Sequence, residues 1–165
     1  MIIPPFRVIA IPTNVAESVR ATRRAPIYGH PVSEEIATGF GPCRHCLRAF
    51  KVGAERRILF TYDPFMQLEA LPLPGPVFVH ALTCERYPED AGFPPDLHSH
   101  ALTFNAYAHG RQLVAQAYAT DDTIDETVAN LLARYEIAYI HVRNTEAGCY
   151  DFRIERASES RPSVT

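Results

Sequence analysis

The sequence lacks a long apolar run, a cluster of basic residues and an N-terminal secretory signal, and each absence excludes a class of protein. No run approaches the roughly 20 apolar residues of a membrane-spanning helix, so we expect no membrane partner. The net charge is −3, and the positive charges are scattered arginines with Lys51 as the single lysine, which gives no basic stripe for nucleic acid. The segment MIIPPFRVIAIP has neither the charged region nor the cleavage site of a signal peptide, which predicts a cytoplasmic protein.

Length and composition indicate a single globular domain. The chain has 165 residues, of which 47% are hydrophobic and 21% are charged, both ordinary values for a folded domain. We expect the domain to cover residues 1–156 and a polar tail to follow at residues 157–165. Four cysteines in a reducing compartment favour metal, catalytic or buried thiols over disulfides.

Alternating apolar runs predict strands, and two amphipathic runs predict helices. The strands are expected at residues 6–11, 57–62, 77–80, 101–108, 112–119, 137–143 and 149–155. The helices are expected at residues 15–24, after an Asn14 cap, and from Ile124, where Thr123 and Glu126 fit a capping box. Residues 25–42 are rich in proline and glycine and predict a long irregular connection. The fold class is therefore α+β, with a mainly antiparallel sheet built from hairpins and about two α-helices packed on it.

The last hairpin brings polar side chains together. A loop over residues 144–148 would pair Val142 with Tyr150 and Ile140 with Phe152, so that apolar residues meet across the strands. The same register would set His141 opposite Asp151. One face of the hairpin would then carry the following polar set: Tyr139, His141, Arg143, Cys149, Asp151 and Arg153.

This polar face has the ingredients of a chemical site. The positive charge of Arg143 favours the thiolate of Cys149, and Asp151 would orient His141 as a base. The plain structural alternative is a solvent-exposed sheet face with cross-strand ion pairs.

The segment GPCRHCLRAF places Cys43 and Cys46 in a C-x-x-C spacing, which is compatible with three uses. The two thiols could share a zinc ion with Cys84 and Cys149, although the sequence shows no second close pair and leaves His80, His98 and His100 as further donors. They could form a redox dithiol, which requires a preceding strand and a helix start. They could also simply pack in the core.

Several segments together resemble a bacterial family called domain of unknown function 1203. The resemblance is carried by GFGPCRHCL, GAERRILFTYDPF, GPVFVHA and AYIHVRNTEAGCYDFRIER, and it spans residues 42–156. It implies that Cys46 is dispensable, because relatives often have no cysteine there. It also implies that Cys43 and Cys149 meet in space, with Arg44, His141 and Arg143 nearby. The resemblance implies no activity, substrate or cofactor.

We expect from the sequence that the domain binds a small anionic ligand, of unknown identity, near the terminal hairpin. The ligand-binding set would be Arg44, Tyr139, Arg143, Asn144 and Arg153. A catalytic version would use Cys149 or Cys43 as nucleophile, with His141 as base and Asp151 as its orienter.

Two alternatives stand beside ligand binding. One is a zinc-stabilised or purely structural module that binds a protein partner through its proline-rich loops. The other is a redox sensor that joins Cys43 to Cys149, which requires their Cα atoms to lie within about 7 Å.

Overall fold

The computed structural model describes residues 5–65, 75–109 and 112–157. Within these ranges the chain forms eight strands and two α-helices. In chain order they are β1 (Phe6–Ile9), α1 (Thr13–Thr22), β2 (Ser33–Ile36), β3 (Arg56–Tyr62), β4 (Gly75–His80), β5 (Leu102–Tyr107), β6 (Leu113–Ala119), α2 (Ile124–Leu132), β7 (Tyr139–Asn144) and β8 (Tyr150–Arg156).

The strands form two antiparallel sheets. One has five strands in the order β1-β8-β7-β5-β6, and the other has three in the order β2-β3-β4. Every named pairing between strands is antiparallel, and the hairpins β5-β6 and β7-β8 join strands that follow each other in the chain. The predicted α+β class with antiparallel strands and two helices is confirmed.

Each sheet has its own helix and its own apolar core. Helix α2 packs Ile124, Val128 and Leu131 against the five-stranded sheet, where Phe152 and Ile154 are fully buried. The second core forms around α1 and the three-stranded sheet. Its buried members include Val15, Val19, Ile58, Phe60, Val77 and Val79, together with Cys43 and Cys46. The cysteines of the C-x-x-C segment are therefore part of the smaller core.

The helix boundaries correct two predicted caps. Helix α1 begins at Thr13 after Pro12, with no side-chain cap, so the predicted Asn14 cap is wrong. Proline at this position presets the backbone angle that the chain needs at a helix entry. The capping box near the second helix joins Thr120 to Thr123, across a short 3-10 turn that precedes α2. The predicted box between Thr123 and Glu126 is therefore wrong.

A short strand, β2, lies inside the connection that was predicted to be irregular. Its residues Ser33–Ile36 (SEEI) pair with β3 but are largely exposed, so they carry no apolar signal. Two expectations fall partly or wholly outside the described residues: the turn of the β5-β6 hairpin at 110–111, and the polar tail from 158 onwards. Within the described ranges, no helix has the length and apolar character needed to cross a membrane.

The predicted register of the last hairpin is wrong by two residues. His141 pairs with Arg153 and Val142 pairs with Phe152, while Arg143 pairs with Tyr150 across a β-bulge. The bulge leaves Asp151 as the extra residue on β8. A slip of two preserves which side chains share a face, so the apolar pattern was satisfied by both registers.

Candidate metal centre

The C-x-x-C segment folds into a tight loop that points both thiols the same way. The Leu47 amide donates to the Cys43 carbonyl (2.8 Å), and the Cys43 amide donates to the Arg48 carbonyl (2.9 Å). Pro42 and Ala49 form an antiparallel bridge at the base of the loop, and Leu47 adopts φ 55° to close it. Because the turn is held by the backbone, the two sulfurs are brought together without a helix.

Two further donors reach the same point from the end of β4. His80 is the last residue of β4, and its backbone amide donates to the Cys43 sulfur at 3.3 Å. Cys84 follows four residues later, with its sulfur 3.9 Å from that of Cys43. The ligand atoms of Cys43, Cys46, His80 and Cys84 all lie within 4.8 Å of one another.

These four atoms fit one tetrahedral metal ion. A Zn–S bond of about 2.3 Å places the sulfurs of a tetrahedral site about 3.8 Å apart. The Cys43–Cys84 sulfur distance is 3.9 Å, and the Cys46 sulfur lies 3.3 Å from His80 Nδ1. Three thiolates and one imidazole are a common donor set of structural zinc, which keeps no position open for water. The cluster could therefore hold a metal such as zinc.

A carboxylate orients the histidine of the cluster. His80 Nδ1 faces the Cys46 sulfur, and His80 Nε2 lies 3.5 Å from a carboxylate oxygen of Glu55. That oxygen also accepts from the Lys51 amide at 2.8 Å. A carboxylate on the far ring nitrogen is the usual outer partner of a metal-bound histidine, and it fixes the ring so that Nδ1 faces the ion.

The Cys84 sulfur is held by two donors from different parts of the chain. Arg20 of α1 donates to it at 3.3 Å, and His45 Nδ1 lies 3.2 Å from it. The other ring nitrogen of His45 contacts the Thr13 hydroxyl at 3.1 Å. Arg20 also donates to the His80 carbonyl. Since Zn²⁺ with three thiolates carries a net charge of −1, the Arg20 guanidinium offsets the charge of the centre.

Within the cluster, the neighbouring groups favour the deprotonated form of Cys84. Hydrogen bonds from Cys43 and Cys46, followed by those from His45 and His80, lower the pKa of Cys84. Burial, together with the neighbouring Cys46 and Cys84 sulfurs, raises the pKa of Cys43 well above its usual value. Burial lowers the pKa of His80, but the same two sulfurs outweigh it and raise that pKa to about 10. A metal ion binds the deprotonated forms of cysteine and histidine, so its binding would displace the protons that these side chains carry.

The structure brings together three of the four cysteines proposed as zinc ligands. Cys43, Cys46 and Cys84 converge, whereas Cys149 lies elsewhere and His80 completes the set. A second close pair of ligands was not expected from the sequence. The structure shows that His80 and Cys84, in an H-x-x-x-C spacing, form that pair. The sequence gives no comparable signal for Glu55, Arg20 or His45, since they come from separate elements.

Cys149 belongs to a second cluster, around the buried Arg44. The Arg44 guanidinium donates to the Cys149 sulfur at 3.0 Å and forms an ion pair with Asp151 at 2.9 Å. It also donates to the carbonyls of Pro42 and Tyr150. Burial outweighs the nearby Arg44 and Arg143 charges and raises the pKa of Asp151 to about 6.

A cavity of about 230 Å³ opens beside Cys149. Its walls include Phe40, Phe78, Asn144 and Glu146. Arg44, Asn144 and Cys149 are thus the members of the predicted set that the structure gathers at one cavity.

The remaining predicted residues lie apart from this cavity. His141 is fully buried, with neither ring nitrogen hydrogen-bonded among the described residues, and it is surrounded by the rings of Phe65, Tyr107, Tyr139 and Tyr150. Burial, followed by the charges of Arg143 and Arg153, lowers the pKa of His141 to about 3. His141 faces Arg153 instead of Asp151, so the expected base and orienter do not meet. Arg153 pairs with Glu155, and Arg143 donates to the Gly148 carbonyl.

A family model described as a protein of unknown function (DUF1203) matches residues 40–156 of the 165. No curated protein and no solved structure matches the chain. The matched span contains all four donors of the metal cluster and also Cys149. The match therefore supplies a family without supplying an activity, a substrate or a cofactor.

Proposed function

The chain belongs to the DUF1203 family, as its sequence motifs indicated, and we propose that it is a zinc-binding domain in which the metal stabilises the fold. The metal centre comprises Cys43, Cys46, His80 and Cys84. The observation that carries the proposal is the convergence of four zinc-type donors within 4.8 Å, three of them buried.

The location of the centre supports a structural role for the metal. The ligands come from the loop before β3, from the end of β4 and from the segment after it, and Arg20 of α1 adds an outer contact. One ion would thus tie together two stretches that are distant in sequence, 43–46 and 80–84, and Arg20 would connect them to α1. Because four protein ligands complete a tetrahedron, the site is suited to stability rather than to activating water.

The test of this proposal is the zinc content of matched cysteine variants. After purification in zinc-containing buffer and gel filtration, the wild type should retain one zinc ion per chain. Cys43→Ser should lose the ion, whereas Cys149→Ser should keep it, because Cys149 binds Arg44 rather than the cluster. Retention of zinc by Cys43→Ser, or its loss from Cys149→Ser, would contradict the proposed ligand set.

A second candidate function, cysteine-dependent chemistry, is favoured by the Arg44 contact with Cys149. The thiol is half-buried, has a guanidinium at 3.0 Å and lies beside a cavity. The Arg44 N–H donates to the sulfur and fixes its position, and the cavity gives a small electrophile access to Cys149. Asp151 neutralises Arg44, and Glu146 adds negative charge to the cavity, so the cavity offers no net positive charge to an anionic ligand.

Alkylation of the zinc-loaded protein by iodoacetamide tests this second candidate. Cys149 should react faster than glutathione at the same pH, while the buried Cys43 and Cys46 are protected by the metal. A Cys149 rate equal to or below that of glutathione would remove the reason to consider catalysis there.

A further inference from the structure

The four ligands of the metal centre differ in their access to solvent. Cys43 is 0% exposed, Cys46 6% and His80 8%, whereas Cys84 is only half-buried. Cys84 and His80 line a cavity of about 380 Å³ that extends past Glu55 and Leu82. A small molecule entering this cavity meets the Cys84 sulfur.

The Cys84 sulfur is also placed to form a disulfide. It lies 3.9 Å from the Cys43 sulfur, and a disulfide bond of about 2.05 Å needs them to approach by roughly 2 Å. Rotation of the half-buried Cys84 side chain can supply such a movement. The Cys46 sulfur, in contrast, is turned towards His80 Nδ1 at 3.3 Å.

Two side chains from outside the set of four ligands contact the Cys84 sulfur. Arg20 lies 3.3 Å from it and His45 Nδ1 lies 3.2 Å from it. A metal ligand must be deprotonated, and a deprotonated sulfur that solvent reaches is the type that peroxides oxidise.

We propose that Cys84 is a peroxide-sensitive ligand, whose oxidation to a disulfide with Cys43 releases the metal ion. This inference rests on the proposed zinc site and names its regulation. The oxidant class is hydrogen peroxide and small organic hydroperoxides, which the cavity beside Cys84 admits.

The reaction proceeds in two steps that balance. The Cys84 thiolate attacks one peroxide oxygen; the O–O bond breaks, the sulfur becomes a sulfenic acid, and hydroxide leaves. The Cys43 thiolate then attacks the sulfenic sulfur; the S–S bond forms, the S–O bond breaks, and a second hydroxide leaves. Two protons from the buffer convert both hydroxides to water. The two thiolates lose two electrons to the peroxide, and Zn²⁺ leaves because only Cys46 and His80 remain as ligands.

The experiment treats the full-length, zinc-loaded Cys149→Ser protein with hydrogen peroxide, so that the cysteine outside the centre does not react. A chromophoric chelator follows zinc release, and peptide mapping identifies the disulfide. We expect one zinc ion to be released per chain, with a Cys43–Cys84 disulfide that a thiol reductant reverses. Zinc added after reduction should bind again.

A matched variant, Cys84→His, keeps a metal-binding side chain but removes the oxidisable sulfur. If it holds zinc, peroxide should release that zinc at least about tenfold more slowly. If Cys84→His binds no metal, peptide mapping of the peroxide-treated Cys149→Ser protein still shows which two cysteines form the disulfide. A Cys43–Cys46 or Cys46–Cys84 disulfide would overturn the inference.

Failure of the zinc site and failure of its regulation give different results. A purified chain that takes up no zinc overturns the proposed function, and this inference with it. A chain that holds zinc and keeps it under peroxide overturns the inference alone.

Discussion

At the scale of single residues, the proposed metal centre includes groups that contact its ligands rather than the metal itself. Glu55 faces the far nitrogen of His80, while Arg20 and His45 hold the Cys84 sulfur. Such outer partners fix the direction of a ligand, so their loss weakens the metal site without removing a ligand.

Glu55→Gln should therefore weaken zinc binding while leaving all four ligands in place. We expect the affinity for zinc to be about 10- to 100-fold lower, because a neutral amide orients the His80 ring less strongly than a carboxylate does. Competition with a chelator of known affinity measures the change. Glu17→Gln, an exposed change on α1, is the control and should bind zinc as the wild type does. Equal affinities in the two variants would show that Glu55 does not position His80.

The buried His141 makes stability depend on pH. Its pKa is lowered to about 3 in the folded chain, against 6.5 for the exposed group, so the unfolded chain binds the extra proton between these values. Stability from this group is complete above about pH 6.5 and falls as the pH drops towards 3, by up to about 1.4 kcal/mol per pH unit.

His141→Phe should remove this component of the pH dependence. The four surrounding rings favour an apolar ring at this position. Denaturant unfolding at pH 7 and pH 5 should show a smaller loss of stability on acidification in the variant than in the wild type. Any acid effect on the metal is common to both chains and cancels in the comparison. The same loss in both chains would mean that His141 is not held neutral.

The residue types at the metal centre were partly predictable from the sequence. Three of its four ligands were in the proposed zinc set, because cysteines are few and two are close in sequence. His80 was named as a donor without being assigned, since an H-x-x-x-C pair looks ordinary on its own. Cys149 was assigned in its place because no sequence feature shows that Arg44 occupies its sulfur.

At the scale of elements, the register error at the last hairpin has two equal parts: Arg143 pairs one residue beyond the predicted Cys149, and the bulge before it adds the second residue. The strands β7 and β8 were predicted in place, but the alternation of apolar residues fits two registers that differ by two. The structure selects the other register, and the bulge turns Asp151 towards Arg44. A buried ion pair between two distant segments is a tertiary contact that local patterns do not encode.

Breaking this pair should destabilise the fold strongly. Arg44 and Asp151 are each 1% exposed, so Asp151→Ala leaves a buried guanidinium charge uncompensated. We expect a loss of about 3–5 kcal/mol in the free energy of unfolding at pH 7, measured with urea.

A surface pair provides the matched control for the Asp151 change. Glu136→Ala removes the exposed partner of Arg134 and should cost no more than about 1 kcal/mol. Similar losses in the two variants would contradict a special role for the buried pair.

At the scale of the whole molecule, the proposed metal centre lies where the smaller sheet meets α1. The α+β class, both helices and the main hairpins followed from local patterns. The division of the strands into two sheets did not, because pairing between distant strands depends on tertiary packing rather than on local periodicity. The ligands lie where the loop before β3 meets the end of β4, and α1 reaches them through Arg20.

Removal of the metal should therefore lower the melting temperature of the whole chain. Ligands bound only by the folded state add their binding free energy to its stability. Thermal unfolding followed by circular dichroism, with and without a strong chelator, should show a lower transition after chelation that zinc restores. An unchanged transition would mean that the fold does not depend on the centre.

The most direct test of the central claim is the intact mass of the freshly purified chain under native and then denaturing conditions. We predict a native mass that exceeds the chain by one zinc ion and a denatured mass that does not. A native mass equal to that of the bare chain, even after incubation with zinc, would contradict the account.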